Sequence, residues 1–426
     1  MTRPPWGTTV PGNRWDLADV RAEPGSHRSV SVVVPHFEQP AQLARTLAAL
    51  DAQTVRPDEV LVADDGSAVP PAVPPGVRLL RQEDRGFRAA AARNLAAASA
   101  SGDLLVFLDA DTTPEPRYLE ELTRLPARLP ELVAVGRRRH ATLEGLPVDA
   151  PLPPPAERHL PEPAWLADAH AGSRDLLDAD ATGFRFVISA VLACSRWWFE
   201  ELGGFDATFV GYGGEDWELA HRSWLAGGLV AHVPTAVAWH DGPDAGAAPR
   251  TADAGTAEAT GVADRVAVPG VAWRGLLRGP VDVVVDLPGA LTPTDLLVTV
   301  DALLAALPRV RVVLDDEQRR VVGTDPRVHG CAEAADLFAS ARLHVRLRAG
   351  VVGGAAAYEE LLGAVDGSCA TWVVNDGAAE VRDLRLHRRA ARWDRPDLVG
   401  VGHVEVAGLR RLPAGARLDA HLGQWL

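Results

Sequence analysis

Across residues 30–111 apolar positions come in short blocks separated by polar loops. Residues 30–34, Val-Ser-Val-Val-Val closed by Pro35, have the make-up of a strand buried on both faces, and Leu43, Leu47 and Leu50 then recur at helical spacing. A second apolar run at 60–63 leads into Asp64-Asp65-Gly66-Ser67. A third at 78–80 precedes an Ala-rich helix predicted over 88–99, and a fourth at 104–108 stops at Asp109-Ala110-Asp111. Strands alternating with helices, with acidic loops at the strand C-termini, predict an open, mostly parallel Rossmann-like α/β sheet that takes ligands along that edge.

From 137 to 182 the periodicity fades, and prolines between 151 and 155 and at 161 and 163 forbid long helices, so this stretch is read as a loop region beside the site. A strand is expected over 184–194. Gly213-Gly214-Glu215-Asp216 then opens a helix whose Trp217, Ala220 and Trp224 share a face before Gly227 ends it. Residues 1–28 form an N-terminal extension, 29–242 the first domain, and 243–264, rich in Ala, Gly, Thr and Asp without a period, a linker. In the second domain, 265–426, apolar runs at 281–286 and 310–314 flank a helical stretch at 296–307, and Asp315-Asp316 follows, in the opening order of the first. Residues 371–374 followed by Asn375-Asp376-Gly377 resemble the strand that ends at Asp109. The second domain is therefore read either as a degenerate internal repeat of the first or as an unrelated α/β domain.

Composition narrows the function classes. At 426 residues, 47% hydrophobic and 23% charged, the chain suits two globular domains, and no apolar run reaches bilayer length. The first 28 residues lack the apolar core of a secretory signal, and Cys194, Cys331 and Cys369 stand far apart without metal spacing; both point to the cytoplasm. A formal charge of −14 argues against nucleic acid, and with no lysine any phosphate must be met locally by arginine or a metal.

Asp109 and Asp111, two apart on an extended segment, can share a divalent cation that bridges a diphosphate, although Asp-rich turns and helix caps look the same in isolation. Asp65, at an earlier strand end, can accept the imide N–H of a uracil, and Arg88 at its helix start can face base or phosphate. Order and spacing make the case. Val32-Val33-Val34-Pro35-His36-Phe37-Glu38, Val62-Ala63-Asp64-Asp65-Gly66-Ser67, Arg88-Ala89-Ala90-Ala91-Ala92-Arg93-Asn94 and Asp109-Ala110-Asp111 together resemble family-2 glycosyltransferases of the GT-A fold over about residues 29–241.

That resemblance implies that Pro35, Phe37, Glu38 and Asp65 lie near the nucleotide base, Arg88 near the nucleotide, and Asp109, Ala110 and Asp111 at the ribose and metal. Glu38 departs from a position where Asn is frequent. The segment from Gly203-Gly204-Phe205-Asp206 to Gly213-Gly214-Glu215-Asp216-Trp217 is similar to the acceptor region of galactosyl- and chondroitin-type transferases. It implies that Glu215, Gly214 and Trp217 receive the acceptor and that Asp216 is the base. An attacking hydroxyl must lose a proton, so a carboxylate opposite the leaving diphosphate is also what the chemistry needs. His240, after the 237–239 strand, fits a metal-binding histidine beside Asp109 and Asp111, with Mn²⁺ or Mg²⁺ as the ion. Trp197, Trp198 and Tyr212 offer aromatic faces for a sugar, and Arg137, Arg138, Arg139 and His140 a basic cluster for phosphate.

The expectation is an inverting, metal-dependent transfer from a UDP-sugar to a glycan, peptide or small-molecule hydroxyl. A nucleotidyltransferase is disfavoured by the absence of a Gly-rich phosphate loop after Val34, and a non-catalytic sugar- or partner-binding protein by the intact acidic set of the first domain. For the second domain scaffolding, acceptor docking or homodimerisation is expected.

Overall fold

The computed structural model describes residues 1–18, 28–211, 213–244 and 251–422. The chain divides into two compact units, Met1–Trp224 with Gly228–Val262 and Leu225–Gly227 with Ala263–Leu426. Among the described residues no helix is long and apolar enough to cross a membrane.

In the first unit the strands are β1 (Val30–His36), β2 (Glu59–Asp64), β3 (Val77–Arg81), β4 (Leu104–Leu108), β5 (Thr112–Pro114), β6 (Leu132–Ala141), β7 (His159–Leu160), β8 (Val191–Ser195) and β9 (Leu229–Asp241). The helices are α1 (Pro40–Asp51), α2 (Ala89–Ala97), α3 (Tyr118–Thr123), α4 (Ala164–Gly172), α5 (Arg196–Leu202), α6 (Glu215–Leu225) and α7 (Ala252–Ala263). The sheet runs β3-β2-β1-β4-β8-β6-β9-β5, with β7 on β6. β3, β2, β1 and β4 are parallel, Val32 standing opposite both Val60 and Val106, and the apolar runs of β1 and β4 are buried on both faces. Because these four strands point one way, His36, Asp64 and Asp109 are delivered to one edge. β8 then runs antiparallel to β4, and short β5 pairs antiparallel with β9 so that Thr112 faces His240.

Three expectations are corrected. Residues 137–141 are not loop but the second half of β6, continuing past a register shift between Gly136 and Arg137; their arginines broke the apolar pattern without breaking the ladder. The strand expected over 184–194 begins only at Val191, after a 3-10 turn at Gly183–Phe186. The segment read as linker holds α7, whose Ala content sustains a helix without an apolar stripe.

The second unit contains β10 (Val283–Asp286), β11 (Arg311–Leu314), β12 (Val328–Gly330), β13 (Leu343–Leu347), β14 (Val351–Val352), β15 (Thr371–Val374), β16 (Ala379–Asp383), β17 (Val401–Val404) and β18 (Arg410–Arg411). Its helices are α8 (Pro293–Ala306), α9 (Asp316–Val322), α10 (Ala334–Ser340), α11 (Ala355–Gly363), α12 (Leu384–Trp393) and α13 (Leu418–His421). The order β12-β11-β10-β13-β16-β15-β17 matches β3-β2-β1-β4-β8-β6-β9 of the first sheet, while β14 pairs with β18 in a separate two-stranded sheet and β7 has no counterpart among the described residues. The directions agree as well: β12 to β13 are parallel, β13 is antiparallel to β16, β15 is parallel to β17, and β14 is antiparallel to β18 as β5 is to β9. In this correspondence Arg348-Ala349-Gly350, between β13 and β14, takes the place of Asp109-Ala110-Asp111, and Arg411, opposite Val351, that of His240. Asn375-Asp376-Gly377, expected to match Asp109-Ala110-Asp111, is instead the turn joining β15 to antiparallel β16. All three residues have positive φ, of 46°, 51° and 80°.

Candidate active site

Asp111 and His240 meet because β5 and β9 are paired: His240 Nε2 lies 3.6 Å from Asp111 Oδ2. His240 Nδ1 sits 3.1 Å from the Gly242 carbonyl, which can only accept, so in the neutral ring Nδ1 carries the proton and Nε2 turns a lone pair towards the carboxylate. Gln39 donates to the same Asp111 oxygen at 3.1 Å. Burial, and then the charge of Asp109, push the Asp111 carboxyl up, against the pull of His240. Two lone-pair donors facing each other in a partly desolvated place suit a cation between them. Among the described residues no three His, Cys, Asp or Glu side chains converge into a complete cage, so a cation held here would draw its remaining ligands from substrate oxygens or water.

At the neighbouring strand ends, Asp65 is buried and already accepts from the backbone N–H of Arg88 at 2.8 Å and from Gln82 at 2.5 Å. The Arg88 guanidinium donates to the Glu83 carbonyl at 2.6 Å and reaches Asp65 at 4.0 Å. Asp64 lies beneath, fully buried, taking hydrogen bonds from Ser67 at 2.5 Å and Arg81 at 2.8 Å and facing His36 Nδ1 at 2.9 Å. Burial opposes its charge, but these bonds prevail and hold the carboxyl below its ordinary value. Pro35 is partly buried on β1 opposite Ala63, and Phe37 is exposed. Glu38 has φ of 52°, the left-handed region in which Asn is better tolerated, and its carboxylate accepts from Ala68 N–H at 2.6 Å, which ties down the loop.

A cavity of about 690 Å³ opens beside Asp109. Its walls include Asp109, Gly214, Glu215, Asp216 and Trp217, all expected in the site, together with Phe87, Arg93 and Trp165, which were not. Arg93 donates to Asp109 at 2.8 Å and to Glu215 at 3.0 Å, while Glu215 Oε2 is buried without a partner among the described residues. Asp216 lies in the first turn of α6 and accepts from Trp217 N–H at 2.8 Å and, more weakly, from Ser189 N–H at 3.4 Å. Desolvation and then the charge of Glu215 outweigh Arg93 and these bonds, pushing the Asp216 carboxyl up to about 7. Gly214 has φ of 96°, and a Cβ there would meet Phe209 at 2.8 Å and Val262 at 2.9 Å, so the turn that aims Glu215 and Asp216 into the cavity requires glycine.

Other expected residues are placed elsewhere. Trp198 is core, its indole donating to Ser223 at 2.9 Å, and Trp197 donates to Thr2; neither lines the cavity. Tyr212 lies outside the described residues. Arg137 and Arg139 share Glu162, and Arg138 pairs with Asp244, so each arginine of the basic cluster already has a carboxylate partner. Burial and the charge of Arg138 push His140 down to about 4. Trp165, half exposed, was discoverable as an aromatic just after the Pro161–Pro163 break; Arg93 was legible only as part of the Arg88–Asn94 motif, without a role of its own.

Residues 31–162 match the model for glycosyl transferase family 2, and 182–239 that for the N-terminal domain of galactosyltransferase. Both matches fall almost wholly in the first unit, which is thus similar to family-2 glycosyltransferases. The chain is 33% identical to validoxylamine A glucosyltransferase of Streptomyces hygroscopicus subsp. limoneus over 48% of its own length and 50% of that protein. It is 28% identical to hyaluronan synthase of Pasteurella multocida over 51% of this chain and 25% of that protein, and 28% identical to chondroitin synthase of Escherichia coli over 54% and 37%. The chain thus spans half or less of these relatives. The matched segments contain Asp65, Arg93, Asp109, Asp111, Glu215 and Asp216 and stop before His240.

Proposed function

We propose that this chain is an inverting, metal-dependent glycosyltransferase that moves a sugar from a UDP-sugar to an acceptor hydroxyl. The observation that carries the reading is the meeting of Asp109 and Asp216 on one cavity next to Asp111 and His240. Asp216 takes the proton of the acceptor hydroxyl as its oxygen bonds to the anomeric carbon. The bond from that carbon to the diphosphate breaks on the opposite side, and the configuration inverts. Glu215, through its unpartnered Oε2, orients the acceptor, and Trp165 and Trp217 give the sugar ring an apolar wall. Asp65 accepts the uracil imide. Asp111 and His240, with Asp109 adjoining, would hold Mn²⁺ or Mg²⁺, which when bound would supply positive charge against the departing diphosphate.

The second unit is read as a degenerate copy without catalysis, given to scaffolding, acceptor docking or homodimerisation. What supports this is the shared strand order with Arg348, Gly350 and Arg411 where the first unit has Asp109, Asp111 and His240.

Incubation with Mn²⁺ and a panel of nucleotide sugars, with nucleoside diphosphate release as readout, tests the transferase reading. Slow hydrolysis of one UDP-sugar, abolished by chelation, is expected; no release from any donor together with no metal-dependent UDP binding would refute it. The rate should also depend on pH. Asp216 must be ionised to act as base, so kcat/KM rises tenfold per pH unit below about 7 and levels above it. A flat profile from pH 5 to 8 would remove Asp216 from that role.

A further inference from the structure

Arg93 links two parts of the site that the chain builds separately. It projects from α2, Asp109 follows β4 and Glu215 opens α6, so a single guanidinium ties three elements together. The side chain is 4% exposed, and the ring of Phe205 lies 5.5 Å from its guanidinium carbon. Burying a cation this far is costly unless both of its faces are met, and here two nitrogens donate to two different carboxylates, at 2.8 and 3.0 Å. One of those carboxylates stands on the leaving-group side of the proposed reaction and the other on the acceptor side. The same helix is fixed at its start, where the backbone N–H of Arg88 donates to Asp65. Nucleotide-side and acceptor-side contacts therefore reach one rigid element.

We propose that Arg93 is a positioning residue for sugar transfer, its forked guanidinium fixing the separation of Asp109 from Glu215 and so the in-line approach of acceptor to anomeric carbon. This rests on the transferase reading above. The fork matters because lysine keeps the charge but presents a compact ammonium that cannot make two divergent planar hydrogen bonds at these distances. Misplacement by about 1 Å costs roughly 100-fold in rate.

The test compares wild type with Arg93→Lys and Arg93→Met, reading steady-state kinetics with the active donor and, separately, the titration of the Asp216 carboxyl by NMR. For Arg93→Lys, kcat should fall roughly 100-fold with donor KM within about threefold of wild type, while Asp216 titrates close to its wild-type position. In Arg93→Met the Asp216 midpoint should also move upward, because the neighbouring positive charge is gone. If Arg93→Met does not fold, Arg93→Lys decides alone. An Arg93→Lys enzyme with kcat within twofold of wild type overturns the proposal, as does a loss of activity that merely tracks the folded fraction. If wild type turns over no donor, the transferase reading is what has failed. The Asp216 titrations then still report the Arg93 contact, and an unmoved midpoint in Arg93→Met counts against it.

Discussion

Asp216→Asn should lower kcat for sugar transfer by about 10²- to 10⁴-fold, the range a lost general base commonly costs, with donor KM little changed. The substitution is nearly isosteric, and its amide oxygen can still accept from the Trp217 N–H, so the start of α6 has no reason to move. What it cannot do is take a proton. A second consequence runs the other way. In the unfolded chain the carboxyl ionises near its ordinary value, and in the folded chain near 7. Between those pH values the folded state holds the extra proton, so stability falls as pH rises across that window, and the deficit is complete above about 7. The amide carries no such penalty. Asp216→Asn should therefore melt at a higher temperature than wild type at pH 8, and the gap should narrow as pH falls towards 4. Full turnover by this variant would assign the base to another group; equal melting temperatures at pH 8 would mean that Asp216 is solvated like a surface carboxylate.

Much of this arrangement could be read before the structure. Strands β1 and β4 of the first unit announce themselves as β-branched or leucine-rich blocks because a strand buried on both faces has little polar alternation to obscure it. The acidic loops follow because ligands collect at strand C-termini. Reading failed where tertiary pairing overrides local pattern. Arg137, Arg138 and Arg139 look like loop, yet on a strand they pair with Glu162 and Asp244. Residues 252–263 look like linker because alanine gives a helix without an apolar stripe. Arg93 belongs to the Arg88–Asn94 motif, but nothing near it in sequence reveals that its partners arrive from positions 109 and 215. In the second unit the order of elements was legible, but the motif was matched to the wrong strand. A short strand followed by Asn-Asp-Gly resembles a strand ending in an acidic loop until the hairpin is seen.

Asp111→Ala is the variant in which metal and donor binding should fail together. Its carboxylate faces His240 Nε2 at 3.6 Å, and without it the histidine loses the carboxylate with which it would share an ion. Loss of the ion withdraws on the order of 4 kcal/mol of stabilisation from the charge that develops on the diphosphate, which is about 10³-fold in rate. The sign with pH is also fixed. Burial and Asp109 raise the Asp111 carboxyl, a proton there competes with the cation, and Mn²⁺ affinity in wild type should strengthen as pH rises through that titration. Calorimetric titration of Mn²⁺ in the presence of UDP should give one site per chain in wild type and none in Asp111→Ala. The second half of that expectation comes from the other unit. Arg348 and Gly350 cannot supply the carboxylates, and Arg411 in place of His240 repels a cation, so no substitute site awaits the ion there. A residual stoichiometric site in Asp111→Ala would overturn the non-catalytic reading of the second unit, whereas wild-type donor affinity with EDTA present would show that the first unit stabilises the diphosphate without an ion.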